Sequence, residues 1–197
     1  MNKKIKLGLN GLGRIGRTLF RKIIEENLFD IVQINDINPD INNIAYLLKY
    51  DSVHGKLPFD IQVNGNLLII NGNTIKFTHE PNIENVKWDD IEADIVIECS
   101  GFKPNIKNAM KCIFGSVKKV IFSDSPNSMD ITLVHGVNVD QYSSSNHHII
   151  AASICDIVGT APVLSIMSDL CEIKSAFLQT LHPWLSYQNM MDGQIGR

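Results

Sequence analysis

Three glycines near the amino terminus, Gly11, Gly13 and Gly16, stand at the spacing G-x-G-x-x-G within LGLNGLGRIGRTLF, and Asp36 follows twenty residues after the last of them. Glycines so spaced can present main-chain N–H groups to an anion. Gly11 permits a tight turn, Gly13 lets main chain approach a diphosphate, and Gly16 lets a helix lie close to a strand. The first turn of that helix adds donors and a partial positive charge. Asp36 would accept hydrogen bonds from a ribose 2′-hydroxyl and repel a 2′-phosphate, which selects NAD over NADP. If the glycines formed only a bend, Asp36 would be an ordinary turn or cap residue.

The remaining chemistry-bearing side chains are dispersed. The cysteines Cys99, Cys112, Cys155 and Cys171 include no C-x-x-C pair, so neither a zinc knuckle nor a dithiol redox motif is present. His54, His135, His147 and His148 show no metal-ligand spacing with carboxylates or cysteines, and no metal site is assigned. By residue type alone, Cys155 in its apolar run serves equally as a small buried hydrophobe, and His182 as an ordinary satisfied polar residue.

Positioning the glycines requires a strand before them and a helix after. IKLGLN alternates as a strand should, and IGRTLFRKIIEEN places Ile15, Leu19, Phe20, Ile23 and Ile24 on one helical face, closed by Asn27. FDIVQIND reads as a second buried strand ending at Asp36, which completes a β-α-β unit. NNIAYLLKYD is helical, and residues 59–77 carry Asn64-Gly65 and Asn71-Gly72, the turn signals of hairpins. ADIVIECSG, KKVIFSD, DITLVHGVN and HHIIAAS read as further strands, with a short helix in NIKNAMKCIFG. Alternating strands and helices predict an α/β fold: a doubly wound, Rossmann-type parallel sheet with a β-hairpin insert over residues 1–150. Residues 151–197 read as the incomplete start of an α+β second domain, with a buried helix after Cys155 and a first strand in EIKSAFLQTLHPW.

Bulk composition agrees. The 197 residues are 44% hydrophobic with net charge −3, so no basic field recruits nucleic acid. The apolar run at residues 149–167 contains Asp156, Gly159 and Pro162, which argues for a core helix and against a membrane span. MNKKIKLGLNG turns directly into the glycine motif, unlike a secretory leader. The expected setting is cytoplasmic, with reduced thiols.

The strings NGLGRIGR, IND, YLLKYDSVHG, ADIVIECSG, KKVIFS and GVN, then the apolar run around Cys155 ending at Ala161-Pro162, occur in an order that resembles the glyceraldehyde-3-phosphate dehydrogenase family. His182, Gln188 and Asp192-Gly193 extend the likeness. The resemblance implies NAD as cofactor, with Asn10, Gly11, Gly13, Arg14, Ile15 and Gly16 around the diphosphate, Asp36 on the adenosine ribose and Ser123 toward the nicotinamide. It assigns Cys155, in AASICDIVGTAP, as nucleophile and His182 as base. The implied reaction is thiolate attack on an aldehyde, hydride transfer to NAD and cleavage of the resulting thioester by phosphate. It also implies an oligomer of copies of itself and a small-molecule aldehyde substrate; a silent chain would instead partner a full-length relative, and the apolar run at residues 149–167 indicates no membrane partner.

Several neighbours of these residues depart from the family. Ile154, Asp156 and Val158 replace a serine, a threonine and an asparagine, and Leu185 and Tyr187 replace two threonines. The change removes hydroxyl donors for phosphate and sets a carboxylate beside the thiol, where it opposes thiolate formation and repels an anion. Three readings follow. One is a dehydrogenase of the glyceraldehyde-3-phosphate class, and another a silent NAD-binding remnant or subunit partner. The third is a thiol-dependent, non-phosphorylating activity. The expectation is measurable NAD binding with very low phosphate-dependent turnover.

Overall fold

The structure, a computed structural model, describes residues 4–182. β1 (Lys6–Asn10) leads through the glycine bend into α1 (Arg14–Glu26), and β2 (Asp30–Asn35) closes the predicted β-α-β unit. α1 stops where Asn27 adopts a left-handed conformation at φ 54° and its N–H bonds back to the Ile23 carbonyl. α2 (Ile41–Lys49) starts at Asp40, whose carboxylate caps the N–H groups of Asn42 and Asn43. A small hairpin, β3 (Tyr50–Asp51) with β4 (Gly55–Lys56), precedes the meander β5 (Ile61–Asn64), β6 (Leu67–Ile70) and β7 (Asn73–Thr78). Its turns are Gly65-Asn66, one residue beyond the start of the first expected pair, and Asn71-Gly72 as expected, with Gly65, Asn71 and Gly72 at positive φ. β8 (Ile95–Glu98), α3 (Pro104–Asn108), β9 (Lys119–Phe122), β10 (Ile131–Thr132), β11 (Ile149–Ala151) and α4 (Cys155–Leu170) follow.

Nine strands form one sheet in the order β10-β11-β9-β8-β1-β2-β7-β6-β5. All neighbours from β10 to β7 pair in parallel, and only the β5–β6–β7 meander is antiparallel. This is the doubly wound, Rossmann-type sheet that the sequence predicts. The chain runs outward from β1 through β2 to β7 and then crosses back to β8, so strand order reverses between β1 and β8. Ligands of such sheets bind beyond the carboxyl ends of the strands at that reversal.

Two apolar clusters cover the sheet. One gathers Leu7, Leu9, Phe20, Ile34 and Leu48 with residues of the meander. The other gathers Trp88, Val96, Val120, Phe122 and Ile149. β1 feeds both through its alternation: Leu7 and Leu9 face α1, while Gly8 leaves room for the Trp88 ring, which a Cβ would meet at 2.5 Å.

The structure departs from the sequence reading after β11. The helix following Cys155 forms, but none of its residues is buried; Ile157, Val158, Val163, Leu164, Ile166, Met167 and Leu170 are all exposed. Its apolar residues surround the axis, which signals burial by sequence, yet burial needs packing partners that the described residues do not provide. The strand expected in EIKSAFLQTLHPW is likewise absent among the described residues: 172–182 carry no regular structure. A strand exists only through a neighbour to pair with. Leu185, Tyr187, Gln188, Asp192 and Gly193 lie outside the described residues.

Candidate functional site

At the end of β1 the chain turns under strong local constraint. Gly11 sits at φ +91°, and a Cβ there would stand 2.5 Å from the Ser100 Cα. A Cβ on Gly16 would stand 2.1 Å from the Gly11 carbonyl oxygen, so the first turn of α1 is seated directly on the bend. This refines the role expected of Gly16: it packs the helix against the bend and the loop after β8. Gly13 differs, since nothing lies within 4 Å of its would-be Cβ and it is exposed. It is the N-cap of α1, and no side chain caps the helix there. Arg14 and Ile15 are exposed beside it. The first-turn amides thus open on free space, as an anion cradle requires.

Asp36 lies against the bend. One carboxylate oxygen accepts the Leu12 N–H at 2.6 Å and the other accepts the Asn38 N–H at 2.9 Å. The carboxylate therefore ties the loop after β2 to the glycine bend, while its remaining lone pairs are available to a sugar hydroxyl.

Beneath the crevice runs a buried polar belt that sequence reading missed. Register sets Thr78, Asn35, Asn10, Glu98, Phe122 and Ala151 side by side across the sheet. Thr78 donates to Asn35 at 2.8 Å, Asn35 to Asn10 at 2.7 Å and Asn10 to Glu98 at 2.5 Å. Glu98 also accepts from the Asn105 amide and from the Ser100 N–H and hydroxyl. Burial pushes the Glu98 carboxyl above its ordinary range, and the bonds from Ser100, Asn10 and Asn105 oppose that rise. Asn10, expected at the cofactor, has its side chain engaged in this belt, so it acts by fixing the bend from below. The available signal was a charged residue closing the otherwise apolar strand ADIVIECSG. Glu98, Gly101, Phe102, Phe122 and Asp124 line a small crevice beyond the ends of β8 and β9. A larger cavity of about 170 Å³ lies at the opposite ends of β2 and β7, lined by Ile23, Asn27, Phe29 and Asn73 among others, and contains none of the expected site residues.

Ser123 follows β9 at the same sheet edge, its N–H bonded to the Glu98 carbonyl. Beyond β11, Ser153 adopts φ 69°, unusual for a residue with a side chain, and turns the chain into α4. Cys155 is consequently the first residue of α4. Its Sγ lies 3.3 Å from His182 Nε2 although 27 residues separate them, and 3.9 Å from Asp156 Oδ1. Cys155 and His182 are exposed. Cys99 and Cys112 are buried, and burial pushes each thiol up to about 12. From Asn35 to Ala151 the row of register-paired residues crosses four strand spacings, about 19 Å. An elongated ligand on this edge would reach from Asp36 toward the thiol.

Residues 5–105 match the family model described as the NAD binding domain of glyceraldehyde 3-phosphate dehydrogenase. The chain belongs to the glyceraldehyde-3-phosphate dehydrogenase family. It is 38% identical over 188 residues to glyceraldehyde-3-phosphate dehydrogenase 1 of Bacillus subtilis and to the Geobacillus stearothermophilus enzyme of the same family name. Over 191 residues it is also 38% identical to the glyceraldehyde-3-phosphate dehydrogenase of Bacteroides fragilis. These alignments cover 95–96% of this chain and 56% of each relative. The chain thus spans just over half the length of these relatives. The cofactor of the matched domain type is NAD, and the residues fit it: the open face at Gly13, the uncapped first turn of α1 and the Asp36 carboxylate are donors and acceptor suited to a diphosphate and a ribose. No helix among the described residues is long and apolar enough to cross a membrane.

Proposed function

We propose that this family member binds NAD over residues 1–150 and oxidises a small aldehyde through a thioester on Cys155, which opens the second, catalytic part at residues 151–197. The observation that carries this reading is the 3.3 Å approach of Cys155 Sγ to His182 Nε2 at the edge of the sheet that bears the glycine bend. The first-turn amides of Gly13, Arg14, Ile15 and Gly16 would hold the diphosphate, with Asp36 on the ribose and Ser123 toward the nicotinamide. NAD, when bound, supplies a hydride acceptor. Cys155 thiolate adds to the aldehyde carbon, and the oxygen takes a proton to give a hemithioacetal. His182 then removes that hydroxyl proton as the carbon gives up its hydride, which leaves an acyl thioester on sulfur.

Asp156 favours a second reading for the final step. In the phosphorylating reaction, phosphate attacks the acyl carbon and thiolate departs. A carboxylate oxygen 3.9 Å from the sulfur repels that anion, so water is the better tolerated nucleophile. The reading that phosphate attack is suppressed, with hydrolysis or a silent NAD-binding subunit in its place, rests on this contact. NADH formation from glyceraldehyde-3-phosphate, with and without phosphate and beside Cys155→Ala, tests both. The expected outcome is Cys155-dependent NADH with little stimulation by phosphate. NADH formation undiminished in Cys155→Ala would overturn the thioester mechanism. Strong phosphate stimulation would overturn the role given to Asp156, and bound NAD with no NADH would leave the silent subunit.

A further inference from the structure

We propose that Cys155, Asp156 and His182 form a divalent-cation site for which zinc is the best match. The inference draws on the convergence of three side chains and holds whether or not the chain oxidises an aldehyde. Their ligand atoms lie within 4.8 Å of one another, with sulfur 3.3 Å from the imidazole nitrogen and 3.9 Å from the carboxylate oxygen. Tetrahedral zinc, with Zn–S near 2.3 Å and Zn–N near 2.0 Å, sets neighbouring ligand atoms about 3.5 Å apart. The sulfur-to-nitrogen and sulfur-to-oxygen edges bracket that value, so small rotations of the three side chains, two exposed and Asp156 half-buried, complete the geometry.

The donor chemistry is equally selective. Thiolate, imidazole and carboxylate form a borderline-soft set suited to zinc, whereas magnesium and calcium prefer shells of oxygen. Thiolate and carboxylate together balance the charge of the ion, and three protein ligands leave the fourth position to water. Binding forms an S–Zn bond as the thiol proton passes to solvent, while His182 Nε2 and an Asp156 carboxylate oxygen each donate a lone pair to the ion. No electron moves. Asp156 distinguishes this site from a bare cysteine–histidine pair, because it follows the cysteine directly and faces the same point. Zinc on Cys155 occupies the sulfur lone pair that would attack an aldehyde, so metal and substrate exclude each other.

The test uses the full chain, without NAD or aldehyde. Cobalt(II) titration should give a thiolate-to-metal charge-transfer band at one equivalent, and zinc should displace it. Cys155→Ser should abolish the band, and Cys171→Ser should leave it intact. Asp156→Thr and His182→Ala should each weaken zinc, measured against a chromophoric chelator, by roughly tenfold or more. Zinc should also slow maleimide labelling of Cys155 while sparing Cys171, read by peptide mass mapping. Circular dichroism confirms that each variant is folded, and the surface position of the sulfur and imidazole makes that outcome expected. No band with cobalt, a band that follows Cys171, or zinc affinity unchanged by Asp156→Thr would each overturn the proposal. Because every arm omits the cofactor, failure of NAD binding does not bear on it.

Discussion

The contrast between Gly13 and Gly16 gives the sharpest test of whether the amino-terminal glycines cradle a phosphate or merely bend the chain. At Gly13 an added methyl meets nothing within 4 Å, and the backbone at φ −64°, ψ −166° suits an L-residue. Alanine there gains about 0.4–1 kcal/mol from the less disordered unfolded chain. It loses a similar amount because alanine is a poor N-cap. Net stability should barely change. The methyl, however, occupies the space through which the diphosphate approaches the first-turn amides. Loss of one or two charge-assisted hydrogen bonds, at roughly 1.5–3 kcal/mol each, weakens NAD by about tenfold to about ten-thousandfold. At Gly16 the methyl would be 2.1 Å from the Gly11 carbonyl oxygen, which is backbone and cannot rotate away. Overpacking of this kind costs about 1–3 kcal/mol, a fall in melting temperature of roughly 2–12 °C for a chain of this size. Calorimetric titration with NAD and thermal unfolding of both alanine variants separate the two effects. Wild-type NAD affinity in Gly13→Ala, or a melting temperature as depressed as that of Gly16→Ala, would refute the cradle.

Other outcomes follow from the same geometry. Asp36→Asn should weaken NAD by about tenfold and narrow the preference over NADP, since the repulsion of a 2′-phosphate is removed; equal loss for both cofactors in parallel titrations would contradict the ribose role. Maleimide should label Cys155 and Cys171 rapidly in the folded protein but Cys99 and Cys112 only on unfolding, because the latter pair are buried and held as thiols by that burial. Fast labelling of all four in mass mapping would disprove it. For Glu98 the folded-state pKa is raised above the unfolded value near 4.3. Its favourable contribution is therefore complete below the unfolded value and is lost as pH rises through the folded one. The stability deficit of Glu98→Gln relative to wild type should be largest in acid and shrink toward neutrality in denaturant titrations; a deficit that grows with pH would show that the hydrogen bonds outweigh the cost of burying the charge.

Much of the cofactor half was legible along the chain because its signals are local. The repeat of Ile15, Leu19, Phe20 and Ile23 specified α1, two Asn-Gly pairs placed the meander turns, and glycine spacing marked the bend. Each depends on residues a few positions apart. The other half of the site was not legible in this way. Nothing local to Asn10, Asn35 or Glu98 says that they form one hydrogen-bonded belt, since that depends on strand register across sequence separations of 25 and 88 residues. The family likeness named Cys155 and His182, but only the fold brings sulfur, imidazole and the Asp156 carboxylate to one point. α4 shows the converse: an apolar sequence states how much surface favours burial, whereas its exposure depends on which elements pack around it. Local sequence determined the bend, the helix and the turns because dihedral preference and side-chain period act over one or two turns of chain. Tertiary structure decided which polar groups meet, because meeting requires strands distant in sequence to pair in one particular register.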